Sequence, residues 1–169
     1  MAKAITQLNH QLIGYTYDMS ERVQARWLDQ EQQRIWRTYL LGVARINERL
    51  DADLRPFGID LAEYEILVCL EEAEDRRLRM SDLADAVHQS RSRLTHTVAR
   101  MEKARLVERQ ACPSDRRGVW AQLTDEGFEL LKSAAPSHVE SVRRAFVTAV
   151  DPDDFRALGR AFEAVLAAD

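Results

Sequence analysis

The chain has 169 residues, 46% of them hydrophobic and 31% charged, with only six glycines and four prolines. That composition suits one mostly helical globular domain and excludes a low-complexity or disordered chain. Its net charge of −4 and pI near 5.6 argue against a nucleic-acid partner until their distribution is read. Between Arg76 and Trp120 there are eleven basic and five acidic residues, a net of +6 that leaves −10 for the remainder. A basic lobe on an acidic body fits DNA contact better than the pI suggests.

No stretch approaches the ~18 apolar residues of a membrane span, and residues 1–10 lack the basic start and apolar core of a signal peptide. Cys69 and Cys112 are too few for a disulfide framework, so a reducing compartment is expected. The reading is a soluble, cytoplasmic protein. Cys69, inside the apolar run Ile66–Leu70, is expected to be a small core residue, and Cys112 near the tip of a hairpin to be the more exposed of the two.

In chain order, residues 1–30 read as an N-terminal extension and the start of the first helix. Ile5, Leu8, Leu12 and Ile13 show a weak helical spacing. From about Glu21 to Leu54 the pattern is strongly helical, with Trp36, Tyr39, Leu40, Val43, Ile46, Leu50 and Leu54 at steps of one, three or four. Pro56 and Gly58 end it. Asp60 can cap the next helix, Leu61–Glu74, whose inward face is expected at Leu61, Tyr64, Leu67, Val68 and Cys69. Arg76–Arg79 is too short for a helix and suits a minor strand.

The stretch from Leu78 to Gly127 is the most informative. A short amphipathic helix (Ser81–Val87) and a three-residue break lead into a second, Arg-rich helix (Ser90–Arg105), with Ser90 as its N-cap. Leu94, Val98 and Met101, spaced i, i+4, i+7, should face inward, and Arg93, His96 and Arg100 should share another face. Two strand-like runs follow, near Leu106–Gln110 and Val119–Leu123. The charged turn Pro113-Ser114-Asp115-Arg116-Arg117-Gly118 joins them.

Helix, turn, basic helix and basic hairpin in that order describe a winged helix-turn-helix. Such a unit lays its second helix in the major groove. The candidate contacts are therefore Gln89, Ser90, Arg91, Ser92, Arg93, Thr95, His96 and Arg100 on the helix. On the hairpin they are Arg116 and Arg117, with Asp115 placed to orient a neighbouring arginine rather than to meet a phosphate. Arginines inserted into a narrow minor groove are well suited to its potential.

After the hairpin, Thr124 can cap a helix with Asp125 and Glu126 in its first turn. Phe128, Leu131, Ala135, Val139, Val142, Phe146 and Val150 then step by three and four. Pro136 is expected to bend or interrupt that helix. Asp151-Pro152-Asp153-Asp154 signals a restart, and Phe155, Leu158, Phe162, Val165 and Leu166 line the last helix.

The run Met80–Gly127 resembles the MarR family of bacterial transcription regulators, on MSDLADAV, SRSRLTHTVARMEKARLVER, the wing residues Asp115-Arg116-Arg117 and the closing LTDEG. The resemblance extends over roughly residues 31–169. It implies a mainly α (α+β) fold: a winged helix-turn-helix at about 61–124, flanked by long N- and C-terminal dimerisation helices at about 31–55 and 125–168.

The resemblance also implies double-stranded DNA and a second copy of the chain as partners. The function it implies is a ligand-responsive homodimeric repressor of a pseudo-palindromic operator. The alternatives are an activator or a winged-helix protein-interaction module. Arg117 is the implied minor-groove residue. Arg105 stands where the family usually has Gly, and a left-handed backbone there would cost a non-glycine residue about 1 kcal/mol.

The family commonly binds a small aromatic or phenolic effector between the dimerisation helices and the DNA lobe. Position suggests Trp36, Tyr39, Tyr64 and Leu67 as the lining, with Arg37 or Arg45 meeting an anion. His10, His88, His96 and His138 are scattered, so no metal or other cofactor is expected. There is no phosphate-binding Gly loop, GxSxG or HExxH, and no enzyme is expected.

Overall fold

The computed structural model describes residues 25–112 and 118–168. The weak helix read in residues 1–20 and the turn residues Asp115, Arg116 and Arg117 lie outside them. The described chain divides into two compact units at Arg37/Thr38. Helix α1, Gln30–Leu54, begins in the first unit and ends in the second.

The long first helix starts later than its periodicity suggests, because a local cap sets its beginning. Asp29 Oδ1 accepts the Gln32 N–H (2.8 Å), and Gln32 Oε1 accepts the Asp29 N–H (3.1 Å), a reciprocal capping box. At its far end a 3₁₀ turn, Arg55–Phe57, is closed by Gly58 at φ 78°.

Helix α2, Leu61–Glu71, opens on a second capping box between Asp60 and Glu63. The helix forms the centre of the second unit. Tyr64, Ile66, Leu67 and Leu70 are all buried, so it shows little of the one-sided periodicity of a surface helix. Cys69 is half-buried and packs against the edge of the core.

A short strand β1 (Arg77–Arg79) leads into α3 (Met80–Ala86), α4 (Arg91–Lys103), β2 (Val107–Ala111) and β3 (Val119–Leu123). The sheet is antiparallel in the order β1-β3-β2. Leu78 pairs with Ala121, and Arg109 pairs with Ala121 from the other side. Ala121 and Leu123 turn into the core, while Val119, expected on the same face, is exposed.

Helices α3 and α4 end in the same way. In α3 the His88 N–H reaches Asp85 O (3.2 Å) and the Gln89 N–H reaches Ala84 O (2.9 Å). In α4 the Arg105 N–H reaches Glu102 O and the Leu106 N–H reaches Met101 O, both at 3.0 Å. These are Schellman closures, each needing a left-handed residue. Here the residues are His88 (φ 50°) and Arg105 (φ 59°) rather than glycine.

Helix α5, Asp125–Val142, is capped by the Thr124 hydroxyl and passes through Pro136 without a break. The expected interruption falls later, at a π-helical turn over Arg143–Val147. The buried face of α5 carries Gly127, Leu131, Ala134 and Ser141. A Cβ on Gly127 would stand 2.1 Å from Leu106 O, so this helix can meet the wing base only through glycine. Asp151 caps the last helix, α6, Pro152–Leu166, and Pro152 occupies its first turn.

One core unites these elements. Leu54, Ile66, Leu67, Leu70, Leu83, Leu94, Val98, Met101, Val107, Ala121, Leu131 and Ala134 are packed together with almost no exposure.

Candidate nucleic-acid interface

The orientation of α4 follows from its apolar residues. Leu94, Thr97, Val98 and Met101 are buried against the core, and the Ser90 hydroxyl accepts the Arg93 N–H at 3.3 Å. The opposite face therefore presents Ser92, His96 and Lys103, all exposed, with Thr95 beside them and Ala99 between. Lys103 was not among the residues read from the sequence. The exposed ridge of the wheel identifies it, once the four buried positions set the rotation.

The remaining arginines divide to the two sides. Arg91 lies on the wing side and lines a pocket with Thr95, Arg79 and Arg109. Arg93 lies toward α2, in a groove that also holds Asp60 and Glu65. Burial raises the pKa of Glu65, and the Arg93 charge partly opposes this. Gln89 is half-buried in the same groove, and its Oε1 has no hydrogen-bond partner.

Arg100 is ion-paired to the start of α2, although 59% of its side chain stays exposed. Its Nε donates to Glu63 Oε1 (2.8 Å) and its Nη2 to Asp60 Oδ2 (2.7 Å). The hydrogen bond and charge of Glu63, aided by Asp60, hold the guanidinium above its usual pKa despite some desolvation. The capping box of α2 thus also grips the recognition helix. Arg93, His96 and Arg100 lie on one exposed side of α4, within about 60° of one another, but Arg93 and Arg100 border α2 and Arg100 acts as a positioning residue there.

The wing base is held by similar ties. Arg109 donates to Glu102 through Nη2 (2.6 Å) and Nε (3.0 Å), fixing β2 to the end of α4. Arg77 and Arg79 lie over the Trp120 ring at 5.2 and 5.5 Å. The Thr124 hydroxyl donates to Arg105 O at 2.6 Å, which braces the left-handed turn out of α4. Cys112 reverses its expected exposure: it is buried, with Arg79 Nη2 3.5 Å from its sulfur.

Of the residues suggested for an effector pocket, Tyr39, Arg45, Tyr64 and Leu67 lie in the second unit, and Trp36 and Arg37 in the first. Leu67 is enclosed in the core, Arg45 pairs with Glu48 on an exposed face, and Tyr39 meets Phe162 at 5.8 Å. In the first unit, Arg37 lies 3.5 Å from Gln33 and Trp36 is about half exposed.

Tyr64 alone lines a cleft, about 530 Å³, with Asn47, Leu50, Cys69, His88 and His138 among its other walls. The His138 ring stacks on Tyr64 with centroids 4.2 Å apart, and its Nδ1 is buried without a hydrogen-bond partner. Burial lowers the His138 pKa and raises those of Tyr64 and Cys69.

Among the described residues no group of three or more His, Cys, Asp or Glu could hold a metal ion, and no helix is long and apolar enough to cross a membrane. A helix-turn-helix whose second helix is followed by a basic two-stranded ribbon is a winged helix-turn-helix. A family model described as the MarR family matches residues 57–118, from the end of the 3₁₀ turn to the start of β3.

AbsC, a MarR family transcriptional regulator from Streptomyces coelicolor, is 47% identical, with a TM-score of 0.78 over 84% of this chain and 96% of that one. Sco3205 from the same organism, a MarR family transcriptional regulator solved in complex with DNA, is 42% identical. Its TM-score is 0.80 over 86% of this chain and 91% of that one. The chain belongs to the MarR family of transcriptional regulators.

The HTH-type transcriptional regulator MhqR of Bacillus subtilis is 28% identical over 97 residues, which are 57% of this chain and 66% of MhqR. In PecS of Dickeya dadantii the match is 32% identical and spans 60% of the relative. These relatives are regulators rather than enzymes.

Proposed function

We propose that the protein is a sequence-specific DNA-binding regulator, acting as a homodimeric repressor on a pseudo-palindromic operator. The observation that carries this reading is the exposed ridge Ser92, Thr95, His96 and Lys103 on a helix whose opposite face is packed into the core. It offers hydroxyls, an imidazole and an ammonium at the spacing of base edges and phosphates. Arg116 and Arg117, outside the described residues, are the wing contacts that the sequence suggests, with Asp115 as the residue that would orient an arginine. The solved DNA complex of Sco3205, 42% identical to this chain, supports the assignment. So does the ‘Transcriptional repressor’ name of MprA of Escherichia coli, 30% identical over 93 residues.

Dimerisation is supported by apolar side chains facing solvent. Leu40, Leu41 and Val43 on α1, and Phe162, Val165 and Leu166 on α6, are all exposed. A second copy would cover them, with dimerisation helices at about 31–55 and 125–168 around a DNA module at about 61–124. Selection of bound fragments from random duplex DNA should recover a palindrome whose half-sites lie about one helical turn apart. Recovery of no shared motif would refute sequence-specific binding.

The cleft beside Tyr64 and His138 supports effector control. It touches α1, α2, α5 and His88 in the turn of the helix-turn-helix, so an aromatic ligand there would bear on the recognition helix. A neutral His138 offers its ring nitrogen to a phenol or a protonated acid. Titration with hydroxybenzoates should release the selected duplex from the wild type and not from His138→Phe. Equal release from both would remove His138 from the site.

A further inference from the structure

The cleft beside Tyr64 and His138 does not end at its aromatic wall. A second space, about 550 Å³, continues from it toward α4, and Asn47, Leu61, Glu65, Val87 and His88 are walls of both. Together they form one groove with two kinds of lining. The first part is largely apolar and aromatic, with Leu50, Tyr64, Val68 and His138. The second is charged: Glu48, Asp51, Asp60, Glu65 and Arg93 line it, together with Gln89.

Most of that charge is already satisfied. Glu48 pairs with Arg45 (3.5 Å), Asp51 with Arg55 (3.1 Å) and Asp60 with Arg100 (2.7 Å). One charge of each sign is left. Among the described residues neither the Glu65 carboxylate nor the Arg93 guanidinium makes a hydrogen bond or an ion pair. They rise from different elements, Glu65 from α2 and Arg93 from the first turn of α4, yet each feels the other. Burial raises the Glu65 pKa, and the Arg93 charge opposes the rise. Two acceptors are also buried without a donor: Gln89 Oε1 in the charged part and His138 Nδ1 in the aromatic part. At each of them a ligand's N–H or O–H would supply the missing hydrogen bond.

We propose that this groove receives an aromatic α-amino acid as the effector, with its ring against Tyr64 and His138, its ammonium at Glu65 and its carboxylate at Arg93. The proposal rests on the effector reading above. An α-amino acid carries both charges on one carbon, so a single small molecule can satisfy both groups. Gln89 Oε1 adds an acceptor for the ammonium, and His138 Nδ1 one for a phenolic hydroxyl. An aromatic acid would leave Glu65 unpaired, and an aromatic amine would leave Arg93 unpaired. A site built this way rejects the analogue that lacks one group, because the protein's own partner is then left bare. Arg93 is also a candidate DNA contact of the recognition helix. A ligand carboxylate that takes up its guanidinium withdraws it from the duplex.

The test uses the full chain without DNA, titrated in a calorimeter with three probes that share one ring. They are L-tyrosine, tyramine, which lacks the carboxylate, and hydroxyphenylpropionate, which lacks the ammonium. The wild type should bind L-tyrosine roughly tenfold more tightly than either of the others. Glu65→Gln, checked for an unchanged melting midpoint, should bring L-tyrosine level with hydroxyphenylpropionate. Arg93→Gln, checked in the same way, should bring it level with tyramine. A merely structural role for either residue would weaken all three probes alike.

Equal wild-type affinity for the three probes, or a preference for L-tyrosine that survives both substitutions, overturns the proposal. Tyramine bound more tightly than L-tyrosine, with a loss in Glu65→Gln alone, would assign the groove to an aromatic amine and overturn the amino acid. Hydroxybenzoates that bind and release the selected duplex while L-tyrosine does neither would also overturn it, and would leave the effector cleft standing as a site for aromatic acids. Binding of neither L-tyrosine nor a hydroxybenzoate would overturn the effector reading itself.

Discussion

Leu94, Val98 and Met101 on α4 are fully buried, whereas Phe162, Val165 and Leu166 on α6 expose 39%, 66% and 85% of their surface. Both helices carry apolar side chains at helical spacing, yet only α4 buries them within its own chain; Phe155 and Phe162 of α6 meet Phe146 and Tyr39 and stay partly exposed. The winged module closes its core with α2 at the centre and seals each helix with caps and Schellman turns. Helix α6 buries no residue, and α1 leaves Leu40, Leu41 and Val43 facing solvent. Equal hydrophobic periodicity therefore has two outcomes: a face already covered, and a face left open, which the proposed dimer would cover.

Substitutions on the two regions should separate these outcomes. Leu94→Ala is expected to lower unfolding free energy by about 2–5 kcal/mol, since the cavity opens inside a closed core. Urea denaturation would measure it, and a loss below about 1 kcal/mol would contradict that packing. Val165→Asp should weaken the dimer by roughly a hundredfold, or about 2.7 kcal/mol. Sedimentation would register a shift to monomer. A dimer of unchanged affinity would place α6 outside the interface.

Arg100 tests the boundary between module and DNA surface. Arg100→Ala should cost about 1–3 kcal/mol of stability by leaving Oε1 of the buried Glu63 without its charged donor, while the Asp60 N–H still serves Oε2. His96→Ala, on the outward ridge, should stay within ~0.5 kcal/mol. Reversal of that order would return Arg100 to the duplex. Arg105→Gly should raise stability by up to about 1 kcal/mol by relieving the left-handed backbone, offset in part by the greater freedom of glycine in the unfolded chain. A fall in melting midpoint would mean that the Arg105 side chain matters more than its φ.

The smallest effect concerns pH. Burial lowers the pKa of His138 from the ordinary 6.5, so the unfolded chain binds the proton more readily. The stability from keeping it neutral is fully present above that value. It is lost progressively as pH falls below 6.5 toward the folded-state pKa. The wild type should therefore lose more melting temperature between about pH 7.5 and 5.5 than His138→Phe does. Parallel curves would show that the site is open to water.

Much of this architecture can be read locally. Ser90, Asp60 and Thr124 carry cap signatures in their residue types, and the alternation of Val119–Leu123 bounds β3 as observed. The left-handed strain at Arg105 is legible too, but only through the resemblance to a family that usually has Gly at that position. What escapes is set by tertiary contact. The i, i+3, i+7 grouping of Arg93, His96 and Arg100 carries no sign that Arg100 is taken up by Asp60 and Glu63, which lie 40 and 37 positions earlier.

Pro136 fails to break α5 because a proline removes a single helical hydrogen bond, and packing of Leu131, Ala134 and Ser141 holds the helix through it. Cys112 reads as exposed from its hairpin neighbours, yet the antiparallel ribbon folds it against Arg79. His88 carries no hint of its left-handed backbone, because a Schellman closure there would ordinarily be met by glycine. The effector cleft escapes for the same reason as Arg100: Asn47, Tyr64, His88 and His138 come from four elements and share no spacing.

Most depends on a dimer that places two recognition helices on one duplex. Hydroxyl-radical footprinting on the selected duplex, combined with sedimentation of the same complex, measures this directly. Two chains per duplex and two protected half-sites centred roughly 10–11 base pairs apart are predicted. One chain per duplex, or a single unbroken block of protection, would contradict it.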